Sequence, residues 1–224
     1  MSDLPRVLLV GATGLIGSLV IERAVRSPAL RLIALARRDT PVPAGIELAV
    51  ADPAQWAAVI AGLSPDAVIC ALGTTRRTAG SAQAFRAVDH DMVVAVAQSA
   101  RKAGTARFVL VSSVGADPHA RGLYLRVKGQ VEAAVAALDF ARVDVLRPGL
   151  LRGKRAERRI LERLAMVASP VTDRLLHGGS RRFRAVDARE VAAAALHFAA
   201  KKEPGRVVHE HDGIVRGGRM EGTL

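Results

Sequence analysis

Tyr124 is the only tyrosine in this chain of 224 residues, and Lys128 follows it at the i+4 position. On a helix those two positions share a face, so both side chains can enter one pocket. A phenol ordinarily ionises near pKa ~10, and a neighbouring ammonium favours its phenolate form. A tyrosine so placed can give or take a proton at a carbonyl or alcohol oxygen near neutral pH. Alone, Tyr-x-x-x-Lys is a commonplace pattern. What adds weight is its position after Ser112-Ser113, which close an apolar run. A hydroxyl at the carboxyl end of a strand can hydrogen-bond the same substrate oxygen. Ser113 is the candidate for that task, and Ser112 for a structural strand end.

A second constellation lies near the start, in Gly11-Ala12-Thr13-Gly14-Leu15-Ile16-Gly17. Glycine has no Cβ, so it permits a tight turn, close approach of backbone to a pyrophosphate, and close helix–strand packing. A helix beginning at Leu15 would aim its unpaired N–H groups and positive dipole end at phosphates. Gly11, Gly14 and Gly17 therefore read as a dinucleotide loop, although their spacing departs from G-x-G-x-x-G. Cofactor choice falls at the end of the next strand, where an NAD enzyme places a carboxylate for the ribose hydroxyls. Here the residues are Arg37 and Arg38, with Asp39 lying too far along. Guanidinium groups can clasp a 2′-phosphate with paired, charge-assisted hydrogen bonds. NADP (NADPH) is expected, with NAD the less favoured cofactor.

These groups need a scaffold that brings strand ends together. Short apolar runs alternate with longer amphipathic stretches, as parallel βαβ units require. Strands are expected at Arg6–Val10, Arg31–Ala36, Ile46–Val50, Ala67–Leu72, Arg107–Ser112 and Arg142–Leu146, with a late one near Arg206–His209. Helices are expected at Leu15–Arg26, Pro53–Ala61, Ala82–Ala103, Leu123–Leu138, Ala156–Val167 and Ala188–Ala200. The pattern predicts an α/β fold, a doubly wound parallel sheet of the NAD(P)-binding Rossmann type. Residues 1–150 would form the dinucleotide-binding core, and 151–212 a small substrate-covering subdomain with the remaining core elements. Charge is dense over Arg152–Arg163, and no strand pattern follows until Arg206. The tail 213–224, rich in glycine and arginine without an apolar period, is expected to fray.

Composition narrows the function classes. Half the residues are hydrophobic and 3% aromatic, so Ala, Val and Leu must build the core. No apolar stretch approaches the roughly 20 residues that span a bilayer, and the N-terminal apolar run is too short for a secretory signal. Cys70, the single cysteine, cannot form an internal disulfide and is expected as inert core. A soluble protein of the reducing cytoplasm is expected. Lys and Arg outnumber Asp and Glu by 33 to 21, a net charge of +12. The basic residues are scattered in short pairs and base-stacking aromatics are missing, which disfavours nucleic acid as the partner. His209-Glu210-His211 is read as a surface strand end rather than a metal site. Asp89 and Asp91, flanking His90, are read as capping, paired or solvated. Arg152, Lys154 and Arg155 are weaker candidates for an anionic substrate group.

With these residues in view, the chain resembles the short-chain dehydrogenase/reductase superfamily in its extended or atypical branch. The likeness rests on the glycine loop, Ser112-Ser113, Tyr124-Leu125-Arg126-Val127-Lys128 and Leu146-Arg147-Pro148-Gly149. In finer detail it is similar to the Tat-interactive protein oxidoreductase family, through Val111–Asp117, Tyr124–Glu132 and Val145–Leu151. The resemblance covers residues 5–210 and is strongest up to residue 151. It implies that Thr13, Gly14, Leu15 and Ile16 touch the pyrophosphate and that Arg37 and Arg38 meet the adenosine phosphate. It implies Asp52 beside the adenine, Ala71, Leu72 and Gly73 along the cofactor, and Pro148 and Gly149 bordering the nicotinamide. It also implies a Tyr124–Lys128–Ser113 catalytic set. Tyr124 lies only 11 positions beyond Ser113, a spacing that departs from sugar-nucleotide epimerases and disfavours a large nucleotide-sugar substrate.

The combined expectation is an NADPH-dependent oxidoreductase acting on a small carbonyl or alcohol, as monomer or homodimer. The alternative is an NADPH-binding redox sensor without turnover. Regulatory NADP-binding proteins resembling NmrA keep the glycine loop but lack the Tyr–Lys pair, so its presence favours chemistry.

Overall fold

Weak alternation in the apolar runs of the central strands has a structural cause: these strands lie in a parallel sheet covered on both faces, while Val50, Val207 and Val208 on the two edge strands stay exposed. The computed structural model describes residues 4–27, 29–152 and 178–220. Strands β1 (Arg6–Val10), β2 (Arg31–Ala36), β3 (Glu47–Val50), β4 (Ala67–Cys70), β5 (Arg107–Val111) and β6 (Arg142–Leu146) form most of the main sheet. After the short strands β7 (Leu151–Arg152) and β8 (Val186–Asp187), β9 (Gly205–His209) completes it. The order is β3-β2-β1-β4-β5-β6-β9, with every pairing parallel. This is the doubly wound sheet expected, and its order reverses between β1 and β4, where such sheets open a crevice.

Successive side chains of one strand serve opposite layers. Val7, Leu8, Leu9 and Val10 are all fully buried. Val7 and Leu9 pack with Val20 of α1 (Leu15–Ala24) on one face. Leu8 and Val10 pack on the other with Ile60 of α2 (Trp56–Leu63). Two small helices, α3 (Arg76–Ala79) and α4 (Ala82–Arg86), follow β4. That second face also takes Val96 of α5 (Val93–Lys102) and Val131 of α6 (Leu123–Ala136). The first face is closed by α7 (Ala188–Ala200), whose run Val191–Ala195 is buried without a gap. Asp187 caps α7 by accepting the Arg189 N–H at 2.8 Å.

Five expectations need correction. Strand β4 stops at Cys70, so Ala71–Gly73 form a loop at the crevice. The helix expected over Ala82–Ala103 is interrupted by a π turn at Ala87–Met92, which carries Asp89, between α4 and α5. The strand pair β7–β8 breaks the segment in which no strand was expected. The tail, expected to fray, instead forms helix α8 (His211–Met220) packed on α7. Its glycines were misread as disorder. A Cβ on Gly217 would lie 2.6 Å from Phe198 Cζ, and one on Gly218 2.9 Å from the Glu190 carbonyl oxygen. They are the small surface that lets the two helices meet. The expected helix Ala156–Val167, with Lys154 and Arg155, lies outside the described residues, as do the last four.

His209 is also no surface strand end. Its Nε2 sits 2.7 Å from Asp144 Oδ1, and its ring stacks on Phe198 with centroids 3.8 Å apart. Asp144 is in turn held by Arg142, Nη2 to Oδ1 at 2.8 Å. These bonds tie the edge strand β9 to β6 and to α7.

Because Ile214 is fully buried in the α1–α7 layer, Ile214→Ala should destabilise the fold by about 2–5 kcal/mol. Urea unfolding checks this; a loss below the usual surface range of ~0.5 kcal/mol would mean that α8 does not pack in solution.

Candidate active site

The glycine loop turns between β1 and α1. Gly11 has φ +95°, and a Cβ there would lie 2.6 Å from the Ala71 carbonyl, so only glycine lets this loop meet the one after β4. A Cβ on Gly17 would fall 2.1 Å from Gly11 O, so α1 can rest on the turn only through a glycine. Gly14 caps α1 without a side-chain acceptor, leaving the first N–H groups of the helix directed at the crevice. Ile16 and Gly17 are themselves buried in α1, below the rim.

Above these glycines is a cavity of about 500 Å³, within the range of small-molecule sites. It is lined by Gly11–Gly14, by Leu35–Thr40 at and beyond the end of β2, and by Ala71–Thr75 after β4. Arg37 and Arg38 are exposed on its wall, beside Asp39. Trp56, the only tryptophan, closes the far side, with its indole N–H donated to Ala51 O at 3.0 Å. Asp52 is not part of the lining; its carboxylate accepts the Ala54 N–H at 2.9 Å and caps the turn before α2. Glycine cradle, free helix N–H groups and basic wall suit the adenosine and pyrophosphate half of a dinucleotide.

The groups that could do chemistry lie beyond Gly73, outside this lining. Tyr124, Lys128 and Glu132 fall on successive turns of α6, one stripe of one face. The Lys128 Nζ is 5.9 Å from the Tyr124 ring centroid, and Phe85 packs against the same ring at 6.0 Å. Lys128 is buried, and its Nζ pairs with Asp89 Oδ1 at 2.9 Å; the two side chains are 8% and 0% exposed. The other Asp89 oxygen accepts the Thr74 N–H at 2.7 Å. Burial alone would pull the Lys128 pKa down, but the Asp89 carboxylate, and Tyr124 after it, more than offset that and raise it. A Cβ on Gly73 would stand 3.5 Å from Asp89 Oδ1 and 3.7 Å from Lys128 Nζ, so the pair lies directly under the loop that edges the cavity.

One turn on, Glu132 joins the ends of two strands. It accepts a hydrogen bond from Ser112 Oγ, and its carboxylate takes Arg147 Nη2 at 2.5 Å and Nε at 3.1 Å. That hydrogen bonding holds the Arg147 guanidinium above its usual pKa. Ser112 is thus the structural serine. The Ser113 hydroxyl, on a half-buried residue, makes only a long contact among the described residues, to Val114 O at 3.4 Å. Pro148 O accepts the Val114 N–H at 3.0 Å, which sets the Pro148–Gly149 turn beside the serine loop. Gly149 is pressed against Arg184, whose carbonyl oxygen would be 2.5 Å from an added Cβ. Helix α6 approaches this loop closely because residue 129 is glycine: a Cβ there would be 2.2 Å from the Asp117 carbonyl carbon. Burial pushes the Cys70 thiol up to about 11, which keeps it protonated and inert at the end of β4.

Sequence reasoning passed over Trp56, Asp89 and Glu132 as site residues. A signal existed for Asp89. It falls on the stripe Phe85–Asp89–Val93–Val96–Ala100, every member of which is buried. A carboxylate on an apolar stripe needs a partner.

Fold and crevice define a nucleotide-binding protein of the doubly wound α/β class. Residues 7–209 match the NAD dependent epimerase/dehydratase family, and the chain belongs to it. Protein FMP52, mitochondrial, of Coccidioides immitis is 37% identical over 237 residues, covering 95% of this chain and 96% of that protein. Protein fmp52, mitochondrial, of Emericella nidulans is 39% identical over 168 residues, covering 71% and 72%. Among solved structures, the Bordetella bronchiseptica enzyme WbmH in complex with NAD+ superposes with a TM-score of 0.68 at 16% identity, over 93% of this chain and 76% of that one. At that identity the likeness speaks for the fold. The relatives' mitochondrial names overturn the expectation of a cytoplasmic protein. A lone reduced thiol, on which that expectation leaned, does not tell one reducing compartment from another.

Removing one partner of a buried ion pair strands the other. Glu132→Ala should destabilise the protein by about 3 kcal/mol, near the low end for such pairs because Arg147 keeps 25% of its side chain exposed. Denaturant unfolding reads this directly, and a change under ~1 kcal/mol would deny Glu132 its anchoring role.

Proposed function

We propose that the protein is an NADPH-dependent oxidoreductase of the short-chain dehydrogenase/reductase type, acting on a small carbonyl or alcohol. The observation that carries the reading is the placing of Tyr124 and a buried, charged Lys128 on successive turns of α6, with Lys128 under the loop that edges the cavity. The bound dinucleotide would supply or accept hydride; orientation and charge come from the protein. Tyr124 Oη gives a proton to the substrate oxygen in reduction and takes it back in oxidation. The Lys128 ammonium lowers the cost of the phenolate. Ser113 Oγ steadies the substrate oxygen, and Glu132 holds the serine loop through Ser112.

Arg37 and Arg38 on the cavity wall support NADP over NAD, since a 2′-phosphate is the anion that two adjacent guanidiniums would meet there. Val111–Asp117 and Tyr124–Glu132 support a place near the Tat-interactive protein oxidoreductases, and the short Ser113–Tyr124 spacing favours a small substrate over a nucleotide sugar.

Tyr124→Phe removes the transferable proton and keeps the ring packing on Phe85. It should retain NADPH binding and lower turnover of the active carbonyl by at least about a hundredfold; an unchanged kcat would remove Tyr124 from the chemistry. Trp56 reports binding through its fluorescence. With that signal, Arg37→Ala/Arg38→Ala should raise the Kd for NADPH at least about tenfold, the value of one charge-assisted hydrogen bond, while the Kd for NADH stays nearly constant. Equal weakening of both would reject the NADP preference.

A further inference from the structure

We propose that Asp89 is a positioning residue whose carboxylate keeps the Lys128 ammonium charged beside the Tyr124 phenol. A lysine so deeply buried, without a counter-charge, sheds its proton several units below the usual value. A neutral amine offers a phenolate no stabilisation. The geometry meets this need. Asp89 and Lys128 stand 2.9 Å apart with 0% and 8% of their side chains exposed. The Asp89 carboxylate is oriented by the Thr74 N–H at 2.7 Å, so one oxygen is left for the lysine. The π turn at Ala87–Met92 presents Asp89 toward α6 while Phe85 and Val93 keep their places in the core.

Among the described residues, other charged groups around the pair do not replace this one. Cys70, at the end of β4, is protonated below about pH 11. Tyr124, on the same helix, is the group being titrated. Glu132, two turns beyond Tyr124, is engaged by Arg147 and Ser112. His90 pairs with Asp91 at 2.7 Å, where Asp91 is exposed. Arg86, on α4, bonds Gln130 on the outer side of α6. Asp89 is therefore the counter-charge for Lys128.

This inference gains its functional meaning from the reductase reading, yet it can be tested without turnover. Tyr124 is the only tyrosine, so the near-ultraviolet absorbance of tyrosinate in an alkaline titration reports its ionisation alone. Asp89→Asn is nearly isosteric and leaves an oxygen for the Thr74 N–H. Relative to the natural protein, Asp89→Asn should raise the Tyr124 pKa by about one unit or more, a tenfold change in proton affinity. Lys128→Met should raise it to a similar extent, and the double variant no further than either. An Asp89→Asn titration that is unmoved, or moved downward while Lys128→Met moves up, would overturn the proposal. Circular dichroism with each titration establishes that the fold persists. The double variant removes both buried charges together, which folded proteins tolerate better than the loss of one, so it supplies the comparison if Asp89→Asn unfolds. If Asp89→Asn and the double variant agree with expectation but no carbonyl is turned over, the reductase reading fails and the ion-pair role stands. If Tyr124→Phe abolishes turnover while Asp89→Asn leaves the titration unmoved, the reverse holds.

Discussion

A parallel sheet with both faces covered imposes one constraint on everything else: all strand ends of one polarity lie along one edge. Covering the faces takes helices, and each helix must return the chain to the far edge before the next strand begins. Loops at the carboxyl edge are thereby brought together from widely separated parts of the sequence. The loops after β1, β2 and β4 meet around one cavity, and those after β5 and β6 meet beside it. The reversal of order between β1 and β4 supplies the gap into which a cofactor can fit.

Within that frame α6 carries the site on one stripe. Tyr124 lies in its first turn, Lys128 is paired beneath Gly73, and Glu132 clamps Ser112 to Arg147. The two carboxylates do different work. Glu132 joins strand ends and so fixes loop positions; Asp89 answers a buried cation and so bears on a proton. Buried charges of this kind add little net stability against an apolar alternative. Their presence in the interior points to placement rather than strength.

Much of this frame was legible in the residues themselves. The apolar runs marked every strand of the main sheet; in the central ones the cause is burial on both faces, which admits no polar alternation, whereas Val207 and Val208 of the edge strand β9 are apolar and exposed. Gly11, Gly14 and Gly17 marked the loop, because close approach of backbone to backbone admits no side chain. The tail was misread for a related reason. Gly217 and Gly218 look identical in sequence whether a chain is loose or a helix is packed against Phe198 and Glu190. Asp52 shows the same limit, since a carboxylate after a strand reads alike as a ligand contact or as the cap it makes with Ala54.

What the sequence by itself determined was local: periodicity, turn chemistry, and the i and i+4 spacing of Tyr124 and Lys128, all set by residues near one another along the chain. The tertiary structure alone decided which charge answers which. Asp89 meets Lys128 across 39 positions, and Asp144 meets His209 across 65. Such partnerships depend on how the π turn and α6, or β6 and β9, come to lie side by side, and no local pattern encodes that distance. The π turn belongs to the same category: it carries the buried carboxylate that faces Lys128, and no residue pattern within Ala82–Ala103 announces it.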